Sequence, residues 1–493
     1  MKPPFLSDSR SSDKSTLSEA IQTSQPLSGG LWCLIDFPEL SLYDINNLVG
    51  KSYQEVAYDI LYRLDFGVTN DELKAIINAA YGPQWHRNEI TPVKQIGETN
   101  LFSLHLGYGP TFAFKNIALE FLPRLLSVLA KGKTINVLGA SSGDTINAAH
   151  SGVKGTNIKS IFMLPSTGPS KVQKLQAVNG IVNNPNAITL LAEVPFDPLQ
   201  DIVKKVNSVE YKEFKEKYNI TSFNSINIAR ILAQVVYYFR AYSELLKMGK
   251  IVNGDKVIFS VPSGNFGDAL AGYYAKKMGL PIENILIATN ENDMLDKFFK
   301  TGVYQPPKKD GKDFVQVTNA PSMDIAKSSN FERMLFDMYN KDDVIIKGFY
   351  DNLSKNGYFQ IDKETLSKIQ KTFISSSSTD IDRLDLIEDF GNKYNHGIDP
   401  HTAASVVPWD KNEHNLKSET PVIFLETSHV AQFASELEEK GINVPGMDEF
   451  DSVLDAMIKS TPREGIDFIN VSGKFEDTFP IIEDVIKNVF ERK

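Results

Sequence analysis

From about residue 101 onward, short apolar runs alternate with segments of helical spacing. TINVLGA (134–140), IKSIFMLP (158–165), AITLLAEV (187–194), DKVIFSVP (255–262), ENILIATN (283–290) and PVIFLET (421–427) are rich in Val, Ile, Leu and Phe. Runs of this length and makeup predict buried strands of parallel sheets. ARILAQVVYYFRAYSELLKMG (229–249) and DALAGYYAKKMG (268–279) instead space their apolar residues as helices do. Alternating strand and helix predicts an α/β protein with mostly parallel sheets. Upstream, YQEVAYDILYRLDF (53–66) and DELKAIINAAYG (71–82) predict helices, and residues 1 to 28 read as a polar lead-in. VYQPPKKDGKDF (303–314) and ISSSSTD (374–380) read as surface loops or mobile segments.

Composition narrows the class. The chain has 493 residues, enough for two to four structural units, with 42% hydrophobic and 23% charged residues. A disordered or collagenous chain is excluded. Cys33 is the single cysteine, which excludes an internal disulfide framework and cysteine-based zinc or iron–sulfur sites. The formal charge of −10 argues against nucleic acid or an anionic membrane as partner. The N-terminus lacks the apolar stretch of a secretory signal, and no apolar run is long enough to span a bilayer. The expectation is a soluble, cytoplasmic protein.

Four segments carry candidate chemistry. In VIFSVPSGNFGDALAGYYAKKMG (257–279) a strand runs through a Gly-containing turn into a helix. Gly264 and Gly267 permit close backbone approach, and N–H groups at a helix start can face a phosphate. A plain strand–turn–helix connection has the same spacing. VLGASSGDTINAAHSG (137–152) offers Ser141, Ser142 and Thr145 beside a helix start, which suits an anion or a simple N-cap. In LGYGPTFAFKNIALEFL (106–122), Lys115 sits in an apolar run. Lost solvation there favours the neutral amine that Schiff-base chemistry requires, whereas a snorkelling lysine needs no such role. FLETSHVAQF (424–433) ends a strand in Thr427, Ser428 and His429, at the strand end where open α/β sheets place ligands. Capping hydroxyls and a satisfied histidine would look the same. The seven histidines show no HExxH or metal spacing, and neither GxSxG nor a Walker lysine occurs. DPHTAA (399–404) holds an Asp–His pair for which a structural role is at least as natural.

In order along the chain, these segments resemble threonine synthase of the branch found in fungi and many bacteria, within the pyridoxal-phosphate (PLP) enzymes of tryptophan-synthase β-like fold (fold type II). The resemblance runs from SGGLW (28–32) to TSHVAQF (427–433) and includes NSINIARILAQVVYYF (224–239), TNENDMLDKFFKTG (289–302) and APSMDIAKSSNFERMLF (320–336). It implies that Lys115 carries the cofactor. It further implies that Ser263, Gly264, Asn265, Phe266, Gly267 and Asp268 grip the PLP phosphate, with Thr427 facing the pyridine nitrogen. Ser141, Ser142, Gly143, Asp144 and Thr145 would bind the substrate carboxylate. Asn227 and Arg230 would meet the leaving phosphate. The implied reaction converts O-phosphohomoserine and water to threonine and phosphate. A phospholyase or dehydratase releasing a 2-oxo acid, and a non-catalytic PLP-binding relative, are the alternatives.

The chain departs from the family pattern in places. Ile146 and Asn147 follow Thr145, PSTGPSK (165–171) lacks the usual basic residues, Gln432 stands where a lysine is usual, and Asn116 where an aspartate is common. The implied architecture is two-lobed, with an N-terminal helical segment (1–100), a large PLP-binding domain (101–130 and 225–493) and a small mobile domain (131–224) that closes on substrate. The implied assembly is a monomer or homodimer.

Overall fold

The computed structural model describes residues 5–490 except Ser142, Thr167, Gly168, Asn183, Pro195 and residues 461–468. Two sheets organise it. The larger has six strands in the order Phe373–Ser377, Ile282–Thr289, Val257–Pro262, Val422–Glu426, Leu101–His105 and Val93–Gln95. All neighbours pair in parallel except the last two. The smaller is a fully parallel five-stranded sheet ordered Ile469–Val471, Ala187–Ala192, Ile158–Pro165, Ile135–Ala140 and Ile220–Thr221. The six apolar runs named above all lie in these sheets. Their central strands are buried nearly throughout, which is why they read as continuous apolar runs rather than alternating ones.

The polar run 374–380 is not a loop. Phe373–Ser377 is the edge strand of the larger sheet, in register with Ile285–Thr289. Ser375, Ser376 and Ser378 are buried, and the hydroxyls of Ser375 and Ser378 reach the carbonyls of Asp296 and Thr289. Small hydroxyl side chains let the helices Met294–Thr301 and Pro400–Asp410 pack close to this strand. By contrast, 303–314 matches its reading: it is mostly exposed and forms only the short strands Val303–Tyr304, Lys308–Lys309 and Lys312–Asp313.

The N-terminal segment is not purely helical. Phe5–Asp8 pairs antiparallel with Lys14–Thr16 and Trp32–Leu34. Its helices Leu17–Thr23, Tyr53–Leu61 and Asn70–Ala80 each open on a reciprocal capping box, from Thr16, Ser52 and Thr69 to Glu19, Glu55 and Glu72. Two further strands cross the expected lobe boundaries. Val93–Gln95 belongs to the larger sheet, and Ile469–Val471 closes the smaller one, although the sequence assigned everything after 225 to the large domain. Val471, Ile482, Val485 and Ile486 share an apolar cluster with Leu138, Ile161 and Leu190, so burial holds the chain's last described stretch there.

The helix Ile228–Lys247 is buried along its length from Ile228 to Leu245. It runs through the main core, which also takes in Trp32, Tyr53 and Tyr81 of the N-terminal segment. Among the described residues, no helix is long and apolar enough to cross a membrane.

Candidate active site

A cleft of about 2400 Å³ lies where the carboxyl ends of both sheets meet, and Ser141, Ser263 and Thr427, just beyond three strand ends, line it. Lys115 also lines it. It is the first residue of the helix Lys115–Leu129, which no side chain caps. The approach to Lys115 is pinned to the opposite segment: Phe114 N–H donates to the carbonyl of Thr427 at 2.8 Å, and Ala113 bridges Ser428. A Cβ on Gly107 would stand 2.5 Å from the backbone nitrogen of His429. Only glycine permits that approach, so the two chemically marked segments are locked side by side.

Lys115 Nζ lies 2.9 Å from Asp144 Oδ2 and 3.4 Å from Ser322 Oγ. Ser322 donates its own hydroxyl to the same Oδ2 at 3.0 Å. Asp144 Oδ1 accepts from Gln173 Nε2 at 2.6 Å and from Gln432 Nε2 at 2.8 Å. Burial alone would raise this carboxyl, but the Lys115 ammonium and the surrounding donors hold it well below the usual carboxylate range. The sequence placed Asp144 among the groups receiving a substrate carboxylate. Its side chain cannot do that, because like charges repel. It serves Lys115, and only its backbone N–H at the start of the helix Asp144–Val153 is suited to an anion.

The other expected residues divide. Ser141 and Thr145 line the cleft, while Gly143 adopts φ +146° and packs on the Gln173 side chain. Ser142 lies outside the described residues. Ser263 through Asp268 all line the cleft, but not all through side chains. Phe266 has φ +61° and sends its ring into Phe299, Phe331 and Phe373. Asp268 accepts from Tyr237 and Tyr238, and burial raises its carboxyl to about 6 against those hydrogen bonds. A Cβ on Gly264 would come within 2.9 Å of Ile325 and 3.2 Å of Met323 Cα and the Ser322 carbonyl. That glycine admits the turn carrying Ser322. Asn265 Oδ1 is engaged by Ser329. The buried Ser263 hydroxyl has no partner among the described residues.

Asn227 is a correction. It does not line the cleft. Its amide caps the helix Ile228–Lys247, accepting from Ala229 N–H, and donates to the Ile21 carbonyl. Arg230, one turn on, does line the cleft. It is 4% exposed and donates to the Phe223 carbonyl, and its Nε has no partner among the described residues. Burial lowers its guanidinium to about 10. Among the described residues no carboxylate pairs with it, and a buried cation of that kind is suited to an anion. Lys171, the last residue of PSTGPSK, and Lys174 start the helix Lys171–Ile181 and line the cleft, but the Lys171 ammonium is exposed and faces Glu439 at 3.6 Å. Asn116 supports the loop before Lys115, accepting from Thr111 N–H and hydroxyl. His429 is a satisfied histidine, held by Glu449 and by Ala431 N–H. Among the described residues, no group of three or more His, Cys, Asp or Glu could hold a metal ion.

Ser322, Gln173 and His401 were not singled out as ligands by sequence. Ser322 lies inside APSMDIAKSSNFERMLF, and its nearness to Lys115 is purely tertiary.

Buried histidines set an acid limit on stability. Burial lowers His150 to about 3 and His105 to about 4, below the ordinary value near 6.5. Between pH 6.5 and 4 the unfolded chain therefore binds protons that the native one refuses, so stability is full above 6.5 and falls as pH drops. Thermal melts should show a midpoint declining from pH 7 to 4.5, and His150→Gln should flatten the decline by about one proton's worth, about 1.4 kcal/mol per pH unit at most. An unchanged slope would mean His150 takes up its proton in the native state.

A PLP-bound threonine synthase structure from Brucella melitensis superposes with a TM-score of 0.87 at 31% identity, covering 99% of this chain and 100% of that one. Two largely parallel sheets that meet at their carboxyl ends over a cleft lysine are the architecture of the fold type II pyridoxal-phosphate enzymes. Within that class, threonine synthases from Methylobacillus glycogenes and Saccharomyces cerevisiae are 37% and 39% identical over 449 and 459 residues. These matches cover 88% and 86% of this chain, and 91% and 87% of the relatives. The chain belongs to the threonine synthase family. No protein-family model matches it.

Proposed function

We propose that the protein converts O-phospho-L-homoserine and water to L-threonine and phosphate, with pyridoxal 5′-phosphate held at Lys115. The observation that carries this reading is the Lys115 amine in the cleft, 2.9 Å from Asp144, within a chain of the threonine synthase family. The cleft's chemistry fits a phosphate-bearing cofactor and a phosphate-bearing substrate. The Ser263 hydroxyl and Arg230 Nε are buried donors without partners among the described residues, and both residues line the cleft.

The backbone N–H groups of Gly264 to Asp268, at the start of the helix Gly267–Lys277, would take the cofactor phosphate. Thr427 would meet the pyridine nitrogen through a neutral hydroxyl. When bound, the cofactor supplies the electron sink that makes the substrate's carbon-bound protons removable.

The chain's own groups do the rest. Lys115 Nζ moves protons at the substrate's Cα and Cβ. Asp144 holds that nitrogen in place and balances its charge. Ser141, Thr145 and the start of the helix Asp144–Val153 receive the substrate carboxylate. Arg230 meets the phosphate that leaves Cγ, while water adds at Cβ.

Product identification tests the reading. Purified protein with cofactor and O-phospho-L-homoserine should release threonine and phosphate in equal amounts. Phosphate with 2-oxobutanoate would select the phospholyase, and no phosphate from a protein with normal cofactor absorbance would exclude this substrate.

A further inference from the structure

Asp399 and His401 form a buried pair that the reaction above leaves unused. Asp399 caps the helix Pro400–Asp410 and is fully buried. Its Oδ1 accepts from His401 N–H at 2.9 Å and lies 2.8 Å from His401 Nδ1. Its Oδ2 accepts from the Thr402 hydroxyl. A cap needs only the backbone and hydroxyl bonds. The imidazole adds something else, because its far nitrogen, Nε2, accepts the backbone N–H of Ser322 at 3.0 Å. A backbone N–H can only donate, so the ring carries its proton on Nδ1, toward Asp399. The carboxylate fixes the tautomer, and the tautomer fixes the turn.

That turn, Pro321–Met323, sits over Gly264 at a distance that excludes a Cβ there. On its other side Asp324 is held by Thr318 and Asn290. These constraints hold the half-buried Ser322 hydroxyl 3.4 Å from Lys115 Nζ and 3.0 Å from Asp144 Oδ2. Nζ, Oγ and Oδ2 form a closed triangle in which Ser322 accepts from the amine and donates to the carboxylate.

We propose that Ser322 is a further catalytic residue, which orients the Lys115 amine and Asp144 during turnover, and that Asp399 and His401 are positioning residues acting through it. The proposal rests on the reading of Lys115 given above. When the Lys115 nitrogen is engaged elsewhere, Ser322 keeps Asp144 Oδ2 in place. When the amine is free, Ser322 gives it a second fixed partner. The charged and titratable groups around His401 are Asp399 on its own helix and, from other elements, Asp144 and Asp324.

The test uses holoenzyme carrying Ser322→Ala, His401→Ala, His401→Gln and the Ser322→Ala/His401→Ala double substitution. Ser322→Ala keeps the backbone N–H and should retain full visible cofactor absorbance. It should lower kcat by about 10- to 100-fold with KM changed by less than about 3-fold. His401→Ala should do the same. Because His401 acts through Ser322, the double variant should fall within about 2-fold of Ser322→Ala. His401→Gln, which can still accept the N–H, should recover much of the rate. Wild-type kcat in Ser322→Ala, or losses that multiply in the double variant, would overturn the proposal. If His401→Ala does not fold, the Ser322→Ala kinetics decide alone. A wild-type protein with normal absorbance and no threonine would count against the proposed function instead. In that case, a pH titration of the cofactor absorbance that is identical in wild type and Ser322→Ala would overturn the role of Ser322.

Discussion

Lys115→Ala should abolish the visible absorbance of the bound cofactor and reduce threonine formation to background, while the fold survives. The substitution removes a residue that is 15% exposed at its side chain, stands at a helix start and is not part of either apolar cluster beneath it. Its cost lies elsewhere. Asp144 would keep its bonds to Gln173, Gln432 and Ser322 but lose its counter-charge. Breaking a buried pair from one side costs about 3–5 kcal/mol when no water can reach the orphan. The open cleft reduces that figure, so a modest fall in melting temperature should accompany total loss of activity. Absorption spectra and circular dichroism on the same sample separate the two effects. An unchanged visible spectrum would remove Lys115 from its role.

Arg230→Ala should give the second largest loss. Its guanidinium is buried, and among the described residues it has no carboxylate partner and one nitrogen is unsatisfied. A hydrogen bond from a charged group contributes about 1.5–3 kcal/mol. Losing two to a phosphate should therefore lower kcat/KM by about 100-fold or more. Arg230→Lys should recover only part, since an ammonium cannot reproduce the planar fork. If cofactor content rather than KM responds, Arg230 grips the cofactor's phosphate. Wild-type kinetics together with full cofactor content would show that it contacts neither.

The strands were legible wherever burial on both faces demanded unbroken Val, Ile, Leu and Phe. Phe373–Ser377 escaped because serines satisfied by neighbouring carbonyls can be buried without being apolar, and hydropathy does not register that satisfaction. Ile469–Val471 escaped because three residues carry too little pattern, and its pairing with Leu190–Ala192 is a purely long-range fact. At the site, Lys115, the turn after Val257–Pro262 and the end of Val422–Glu426 were legible as strand or helix termini rich in Gly, Ser and Thr. Their roles were less so. Local sequence could not tell that Asp144 faces a lysine rather than a substrate, or that Asn227 spends its amide on a cap. It also could not tell that the pair in DPHTAA reaches a serine in another segment. Each of these depends on which way one side chain turns within a packed interior.

The pairing of Ile469–Val471 with Ala187–Ala192 also has a consequence in time. A growing chain emerges from its amino end, so the Ala187–Ala192 strand exists long before the segment that covers its outer edge. Until residues 469–486 are made, that edge presents free N–H and C=O groups, and Leu138, Ile161 and Leu190 lack the apolar cover that Val471, Ile482, Val485 and Ile486 provide. Such an edge invites pairing with another nascent chain. The outer edge of the smaller sheet thus stays open while everything between the two strands is synthesised. Any slowdown in translating the last third of the message lengthens its exposure.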